Sequence, residues 1–226
     1  MTDSSPLALI SAGGLLKAIA GIAYLVDGEG IIMGISDEAA APENQPGECA
    51  VCLPYVGRSI FAMLHGEDVK ASYQTLHQAV WSGKSAKYGF DYRCDAPDLE
   101  RRMRMSVSLV SEGGEPLAVL YQSLVLSEEP RAPIPLFRAD HLASRNSVRP
   151  DDEILTLCSY CHAIAWPIGA DPETREWIEP PEYYRRGGAS DVVVSHGICD
   201  CCFERVVEPP LRLLYNDLEL EDAVAD

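Results

Sequence analysis

The sequence predicts an α+β fold, with a five-stranded antiparallel sheet and helices on one face, followed by a small module held by four cysteines and a metal. Two observations predict the sheet: a hairpin signal near the start, and an element order of strand, strand, helical middle and three strands. The third observation is a set of CxxC pairs, two of them in the last third of the chain. The 226 residues, 47% of them hydrophobic and 23% charged, are enough to bury a core.

The first two strands are predicted by a turn between two apolar runs. In IAYLVDGEGIIMGIS the runs flank residues 27–30, Asp-Gly-Glu-Gly, and Asp-Gly between apolar runs is a strong hairpin signal. Residues 7–20 have the spacing of a short amphipathic helix, which Gly13 and Gly14 weaken.

A helix and three further strands complete the first part of the chain. The helix is GEDVKASYQTLHQAVWSGK, in which the apolar residues recur on one face and Gly83 ends the helix. KYGFDYRC and MRMSVSLV both alternate between apolar and polar residues, and LAVLYQSLVL supplies the last apolar strand. The alternation predicts the following inward side chains: Tyr88, Phe90, Tyr92, Cys94, Met103, Met105, Val107 and Leu109.

Composition divides the chain into five parts. They are an N-terminal helix (1–20), a sensor-like α+β domain (21–128), a proline-rich linker (129–150), a cysteine-rich module (151–210) and an acidic helix or tail (211–226). The cysteine-rich module has few other apolar residues, so we expect a metal to contribute most of its folding energy.

Charge and the N-terminus restrict the partners and the compartment. The formal net charge of −17 repels phosphate backbones, so no direct binding of nucleic acid is expected. The first residues lack the basic segment of a secretory signal, and the apolar residues 7–26 include Lys17 and several glycines, so no membrane span is expected. We therefore expect a cytoplasmic protein, in which reduced thiols favour metal binding or redox sensing over disulfides.

Two CxxC pairs predict a metal site. Cys158 with Cys161 and Cys199 with Cys202 supply four thiolates, which is the ligand set of a tetrahedral zinc site. The residues that could replace a ligand, or hydrogen bond to one, are His196, Cys201 and His162. A third pair, Cys49 and Cys52, has no matching second pair and is interpreted as two loop thiols without a metal.

The string CSYCH at residues 158–162 also fits covalent attachment of a c-type haem. That attachment normally takes place outside the cytoplasm, and the second CxxC pair is surplus to it. Zinc is therefore the preferred interpretation, and a redox-active or iron–sulfur cluster and a haem are the alternatives.

The first domain resembles a PAS domain over residues 20 to 128. The resemblance is carried by YLVDGEGII, VGRSIFAMLHGEDV, QAVWSGK and the closing strands around SEGGEP. It implies a five-stranded sheet cupping a ligand-sized cavity, and a role in sensing or dimerisation. The candidate cavity residues are Tyr88, Phe90, Tyr92, Cys94 and Met105, and filling of the core is the alternative role of the same side chains.

Two ligand-binding variants of the PAS family are not favoured by the sequence. The Asn-Cys-Arg-Phe motif of the flavin-adduct photosensors does not occur. His77 is the candidate for a haem ligand, but it lies beside the buried stripe of the predicted helix, where a histidine is more often satisfied by its neighbours.

The cysteine-rich module resembles a C-terminal segment found in many bacterial sensory and regulatory proteins. CSYCHAI, Trp177 with PEYY, and SHGICDCC carry the resemblance. The chain departs from that pattern at His162, where Lys or Arg is usual, and at Asp200, where Pro is usual. The resemblance implies a regulatory context and no particular reaction.

The sequence thus favours a cytoplasmic regulatory protein with a protein partner, or a homodimer, and no catalytic activity. No P-loop, dinucleotide-binding glycine pattern, kinase motif or nucleophile elbow occurs. The alternatives are a thiol redox switch that uses the CxxC pairs and an enzyme with an open metal site.

Overall fold

A five-stranded antiparallel sheet forms the first part of the fold, as predicted. The computed structural model describes residues 12–40, 55–137, 154–168 and 174–222, and all structural statements concern these residues. The strand order is β2-β1-β5-β4-β3. The strands are β1 (Ile22–Val26), β2 (Ile32–Ile35), β3 (Lys87–Arg93), β4 (Leu99–Glu112) and β5 (Glu115–Pro130). The α+β class and the antiparallel sheet are therefore confirmed.

The hairpin between β1 and β2 is closed by Asp27. Its carboxylate accepts the backbone N–H groups of Glu29 (3.0 Å) and Ile31 (2.8 Å), which fixes the turn. Gly30 has a φ of 86° and lies so close to the ring of Phe61 that no β-carbon would fit. Position 30 therefore requires glycine, both for its backbone conformation and for its close packing, and the Asp-Gly-Glu-Gly sequence supplies it.

The helices of the first part are α1 (Ala12–Lys17), α2 (Asp37–Ala40) and α3 (Glu67–Trp81), with a 3-10 turn at Phe61–Met63. Helix α3 buries the apolar stripe seen in the sequence against the sheet. It ends where the N–H of Gly83 bonds to the carbonyl of Val80, with Gly83 at a φ of 75°. The inward alternation of β4 is also confirmed, since Met103 and Val107 are buried.

A second sheet of four short strands forms the cysteine-rich module. In the order β8-β7-β6-β9, its strands are β6 (Ile154–Cys158), β7 (Ile164–Pro167), β8 (Arg175–Ile178) and β9 (Val193–Gly197). Strands β6 and β9 are parallel, with Cys158 opposite Gly197. Because parallel strands end at the same edge, this register brings the two CxxC pairs to one place.

The module has an apolar core of its own, although the sequence suggested few apolar residues besides the cysteines. The buried cluster draws side chains from all four of its strands, from helix α4 (Pro180–Arg185) and from residues 134–137, which belong to the predicted linker. Its buried members are Ile134, Leu136, Phe137, Leu155, Leu157, Ile164, Ile178, Tyr183, Val192 and Val194. The sequence suggested too small an apolar core because these residues are scattered singly along short strands and turns.

A continuous helical segment follows the second CxxC pair. It consists of α5 (Asp200–Cys202), a π-helical stretch (Phe203–Val207) and α6 (Glu208–Asp222). Pro209 and Pro210 lack N–H groups, so the carbonyls four residues before them lose their helical donors. The Tyr88 hydroxyl of β3 donates to one of these, the Val206 carbonyl, at 3.2 Å. The irregular turn is therefore completed by the first sheet.

No helix among the described residues combines the length and the apolar character needed to span a membrane.

Candidate metal centre

Four cysteine sulfurs meet at the edge where the two parts of the fold touch. The Sγ atoms of Cys158, Cys161, Cys199 and Cys202 all lie within 4.8 Å of one another. Cys161 Sγ and Cys199 Sγ are 3.6 Å apart, far beyond a disulfide bond. Four thiolates around one tetrahedral metal at about 2.3 Å would place their sulfurs roughly 3.8 Å apart. The predicted four residues are therefore assembled at a spacing that fits a metal ion.

The first CxxC turn is fixed by backbone hydrogen bonds. The N–H of His162 donates to the carbonyl of Cys158 (2.9 Å), and the N–H of Cys158 donates to the carbonyl of Ala163 (2.8 Å). His162 itself has a φ of 63°, a left-handed conformation that histidine adopts more readily than most non-glycine residues. The histidine of CSYCH thus closes the turn and is not one of the four clustered groups.

The second CxxC pair begins helix α5. Cys199 is its N-cap, and its sulfur accepts the N–H of Cys202 at 3.4 Å. Residues three apart on a helix share a face, so Cys199 and Cys202 face the cluster together. Cys201 lies one position off that face and is exposed, whereas Cys202 is buried. The structure therefore selects Cys202 over Cys201.

Hydrogen bonds within the cluster determine which thiol ionises first. Donation from Cys161 and Cys202, together with the N–H of Cys199, lowers the pKa of the Cys158 thiol. The hydrogen bonds that they donate to Cys158, and then its charge, raise the pKa of Cys161 to about 12 and also raise that of Cys202, while burial raises the pKa of Cys199. Four thiolates this close repel one another unless a cation lies among them, so the donor set suits a soft divalent metal.

Two histidines close to the cluster have other partners. The ring of His196 stacks on His65 with centroids 5.7 Å apart, and burial lowers its pKa to about 4, with His65 adding to the shift. His162 Nδ1 lies 3.3 Å from the carboxylate of Asp95, and its ring packs against Phe137. Neither imidazole joins the four sulfurs in the group that could hold a metal.

Asp95 is a buried carboxylate beside the first CxxC turn. Its side chain is fully buried and contacts Arg93 Nη2 (2.5 Å), Arg131 Nη1 (2.9 Å) and the backbone N–H of Arg101 (3.0 Å). Burial alone would raise its pKa, but His162 and Arg93 outweigh that effect and hold the pKa well below its usual range. Asp95 therefore anchors the turn after Cys161 to the edge of the first sheet.

Tyr160, inside the first CxxC pair, is inserted into the first part of the fold. It is 4% exposed, its ring packs edge-on against Phe90 at 5.4 Å, and its carbonyl accepts the N–H of Arg93 at 2.7 Å. The hydroxyl of Ser72 on α3 donates to the Val69 carbonyl, so the 2.8 Å bond between Tyr160 and Ser72 is donated by Tyr160. The metal-site turn thus belongs to the same buried cluster as the first sheet.

An apolar cavity of about 270 Å³ lies between the first sheet and its helices. Among the described residues, none of those lining it is charged. They are Tyr24, Tyr55, Ile60, Met63, Leu64, Tyr73, Met105 and Tyr121.

Met105 lines this cavity, but the other four candidates from the sequence lie elsewhere. Phe90 packs on Tyr160, and the Tyr88 hydroxyl bonds to the helical segment. Tyr92 donates to Ser123 Oγ at 3.0 Å, and Cys94 is exposed beyond the end of β3. The alternation of β3 does point these aromatic rings inward, but β3 is an edge strand, so they meet the cysteine-rich module.

A larger cleft, of about 460 Å³, opens between β3 and the cysteine-rich module. Cys161 and Cys202 contribute to its wall, beside Tyr92 and Arg205. Cys161 is also the partly exposed member of the cluster, whereas the other three are buried. The cleft is therefore a route by which small molecules reach a sulfur of the site.

His77 is buried inside the first domain. Its Nδ1 is 3.0 Å from the Tyr121 hydroxyl, and its ring lies parallel to the rings of Trp81 and Tyr121. Burial lowers its pKa. The imidazole is therefore enclosed in the core, where Nδ1 has a partner and the buried Nε2 has none among the described residues. Cys49 and Cys52 lie outside the described residues.

Sequence reasoning missed Asp95, Ser72 and Tyr160. Each acts through a partner distant in the sequence, and no spacing rule connects them. The signal available in the sequence was Tyr160 itself. A CxxC metal-binding turn does not require a large aromatic side chain between its two cysteines.

No protein-family model and no curated protein matches the chain. Solved structures are similar to half of it, and two of them are as follows. The PAS domain of the Bordetella pertussis protein BvgS has 12% identity and a TM-score of 0.38, with 82% of that domain covered. A C-terminal domain from Streptococcus mutans has 14% identity and a TM-score of 0.40, with 81% covered. Scores this low carry no functional argument.

The fold and the site define an α+β protein with a five-stranded antiparallel sheet and a cluster of four cysteines that could hold a metal ion.

Proposed function

We propose that this chain is a cytoplasmic sensory or regulatory protein, in which the PAS-like domain senses a signal or dimerises and a zinc-stapled C-terminal module binds a protein partner. The observation that carries the proposal is the four-sulfur cluster at the junction of the two parts. A metal held at this junction would connect the domain that contains the apolar cavity to the surface of the cysteine-rich module.

A structural role for zinc is favoured by the completeness of the ligand set. Structural zinc sites have four protein ligands, whereas catalytic sites keep one position for water. Cys158, Cys161, Cys199 and Cys202 supply all four, and three of them are buried. This supports a binding protein over a metal-dependent enzyme.

Exposed apolar residues on β5 support a protein partner or a second copy of the chain. Leu124, Val125 and Leu126 are consecutive on β5 and each is between 40% and 53% exposed. Exposed apolar side chains that are grouped on a surface are typical of interaction sites. The net charge of −17 disfavours nucleic acid as that partner.

Metal analysis with thiol titration of the purified full chain tests the proposal. We expect one zinc per chain, four thiols protected from a thiol reagent, and a colourless protein. An absorption band of haem, flavin or an iron–sulfur cluster would contradict the zinc assignment. Three protected thiols with an exchangeable metal-bound water would favour the enzyme instead.

The exposure of Cys161 in the cleft favours a second candidate, a thiol redox switch. Oxidation of a zinc-bound thiolate by peroxide would form a disulfide with a neighbouring cysteine, with peroxide reduced to water and the metal released. Stoichiometric zinc release by mild peroxide, reversed by a dithiol reductant and fresh zinc, would support this candidate. Retention of zinc in a large excess of peroxide would exclude it.

A further inference from the structure

The apolar cavity and the four-cysteine site are connected by two stacked tyrosine rings. Tyr73 of α3 lines the cavity, and its ring is parallel to that of Tyr160, with an interplanar angle of 2° and centroids 6.3 Å apart. Tyr160 is separated from Cys161 by one peptide bond and from Cys158 by one residue. The path from metal ligand to cavity therefore passes through two side chains.

Tyr160 has little freedom to move independently of the metal-site turn. Its carbonyl is bonded to the N–H of Arg93 on the edge strand, and its hydroxyl is bonded to Ser72, one residue before Tyr73. The turn that carries it is closed by the bond from His162 to Cys158. A change in the turn must therefore displace Tyr160, and Tyr160 packs against the wall of the cavity.

We infer that Tyr160 couples the metal site to the apolar cavity, so that metal binding sets the shape of the cavity and occupation of the cavity alters retention of the metal. This rests on the proposed function, because it assumes that the cluster holds a metal. Coupling between two sites is reciprocal, so each ligand changes the affinity of the other by the same factor.

The first test removes the coupling bond from the side of helix α3, away from the four clustered cysteines in the sequence. Ser72→Ala deprives the buried Tyr160 hydroxyl of its acceptor. We expect zinc transfer from the full chain to an excess of a colorimetric chelator to become about fivefold to tenfold faster, because the orphaned hydroxyl destabilises the seated turn. Ser82→Ala, at the end of the same helix, is the matched control and should release zinc at the wild-type rate.

The second test observes the cavity directly. Met63 and Met105 line the cavity, whereas Met33 on β2 is exposed and Met103 is buried on β4. With methyl-labelled methionine, removal of zinc should shift the Met63 and Met105 signals and leave that of Met33 in place. In Tyr160→Leu the same removal should shift them less, because the ring that contacts Tyr73 is absent.

The outcomes separate the coupling from the proposed function. A wild-type chain that binds no zinc refutes the proposed function itself. Tight zinc binding with Ser72→Ala at the wild-type rate, or with unmoved Met63 and Met105 signals, refutes the coupling alone. Collapse of every methyl signal on zinc removal, that of Met103 included, would show that the metal holds the whole chain together and would also overturn a local coupling through Tyr160.

Discussion

The five-stranded sheet and the cysteine-rich module are stabilised in different ways. Strands β4 and β5, of 14 and 16 residues, pair along their length, and three of the four strand pairs in the first sheet join neighbours in sequence. The strands of the module have four or five residues, and its parallel pair β6 and β9 joins segments far apart in the chain. The module therefore depends on a few specific tertiary contacts, and the first sheet on many regular ones.

The two ends of the module also differ from each other. One end has its own apolar cluster, including Leu136 and Tyr183, while the end with the four cysteines belongs to the buried cluster of the first sheet. Apolar packing tolerates small changes, whereas a metal site or a buried ion pair fails when one member is lost. The most damaging substitutions should therefore lie at the cysteine end.

The largest effect is expected from loss of a metal ligand. Cys202→Ser should lower the zinc content of the purified chain at least tenfold and destabilise the module, because three thiolates remain where four are needed. Cys201→Ser changes the neighbouring exposed thiol and should keep one zinc per chain. Elemental analysis and urea denaturation check both, and equal losses in the two variants would contradict the assignment of ligands.

The next effect is expected at the buried carboxylate. Asp95→Asn leaves Arg93 and Arg131 without their buried counter-charge and should lower the free energy of unfolding by about 3 kcal/mol. Asp91→Asn breaks an exposed pair with Arg104, which water screens, and should cost far less. Urea denaturation with zinc present measures the free energy of unfolding of both variants. A similar loss in the two would contradict a special role of Asp95.

The pH dependence of that difference follows from the depressed pKa of Asp95. A carboxyl whose pKa is lower in the folded than in the unfolded state contributes stability above its unfolded pKa of about 3.8, and loses it as the pH falls. The difference in unfolding free energy between wild type and Asp95→Asn should therefore be full at neutral pH and shrink below about pH 4. A difference that stays constant into acid would contradict the ion-pair role.

A smaller effect tests the contact between α3 and β9. Gly66 has a φ of 86°, and a β-carbon there would lie 2.5 Å from the carbonyl oxygen of His196. Gly83 has a similar φ of 75° with open space around it. Gly83→Ala should cost about 1 kcal/mol from backbone strain, and Gly66→Ala about 2 kcal/mol in all, because the clash with the module adds to the strain. Equal unfolding free energies would mean that the two parts separate readily.

The smallest effect concerns the proline-broken helix turn. Tyr88→Phe removes the donor to the Val206 carbonyl and should lower the free energy of unfolding by about 1 kcal/mol. Tyr215→Phe removes an exposed hydroxyl on α6 and should change it by less than about 0.5 kcal/mol. Thermal unfolding of the two variants side by side measures the difference, and a neutral Tyr88→Phe would show that water replaces the bond.

The elements with local signals were predictable. The hairpin follows from Asp27 and its glycines, helix α3 from its apolar period and Gly83, and the four ligands from CxxC spacing. The cavity residues were not predictable, because alternation shows which face of a strand a side chain is on and not what that face contacts. Phe90 points inward as predicted. However, β3 is an edge strand, so its aromatic rings contact the cysteine-rich module.

The sequence by itself determined which residues could bind a metal, because two-residue spacing lets two thiols reach one ion. Only the tertiary structure decided that Cys202 and not Cys201 joins the cluster, that Asp95 and Tyr160 tie the site to the first sheet, and that Met105 alone of the predicted set reaches the cavity. The physical reason is that spacing, period and alternation are properties of neighbouring residues. Burial, ion pairing and the contacts between a site and a cavity depend on which distant segments meet.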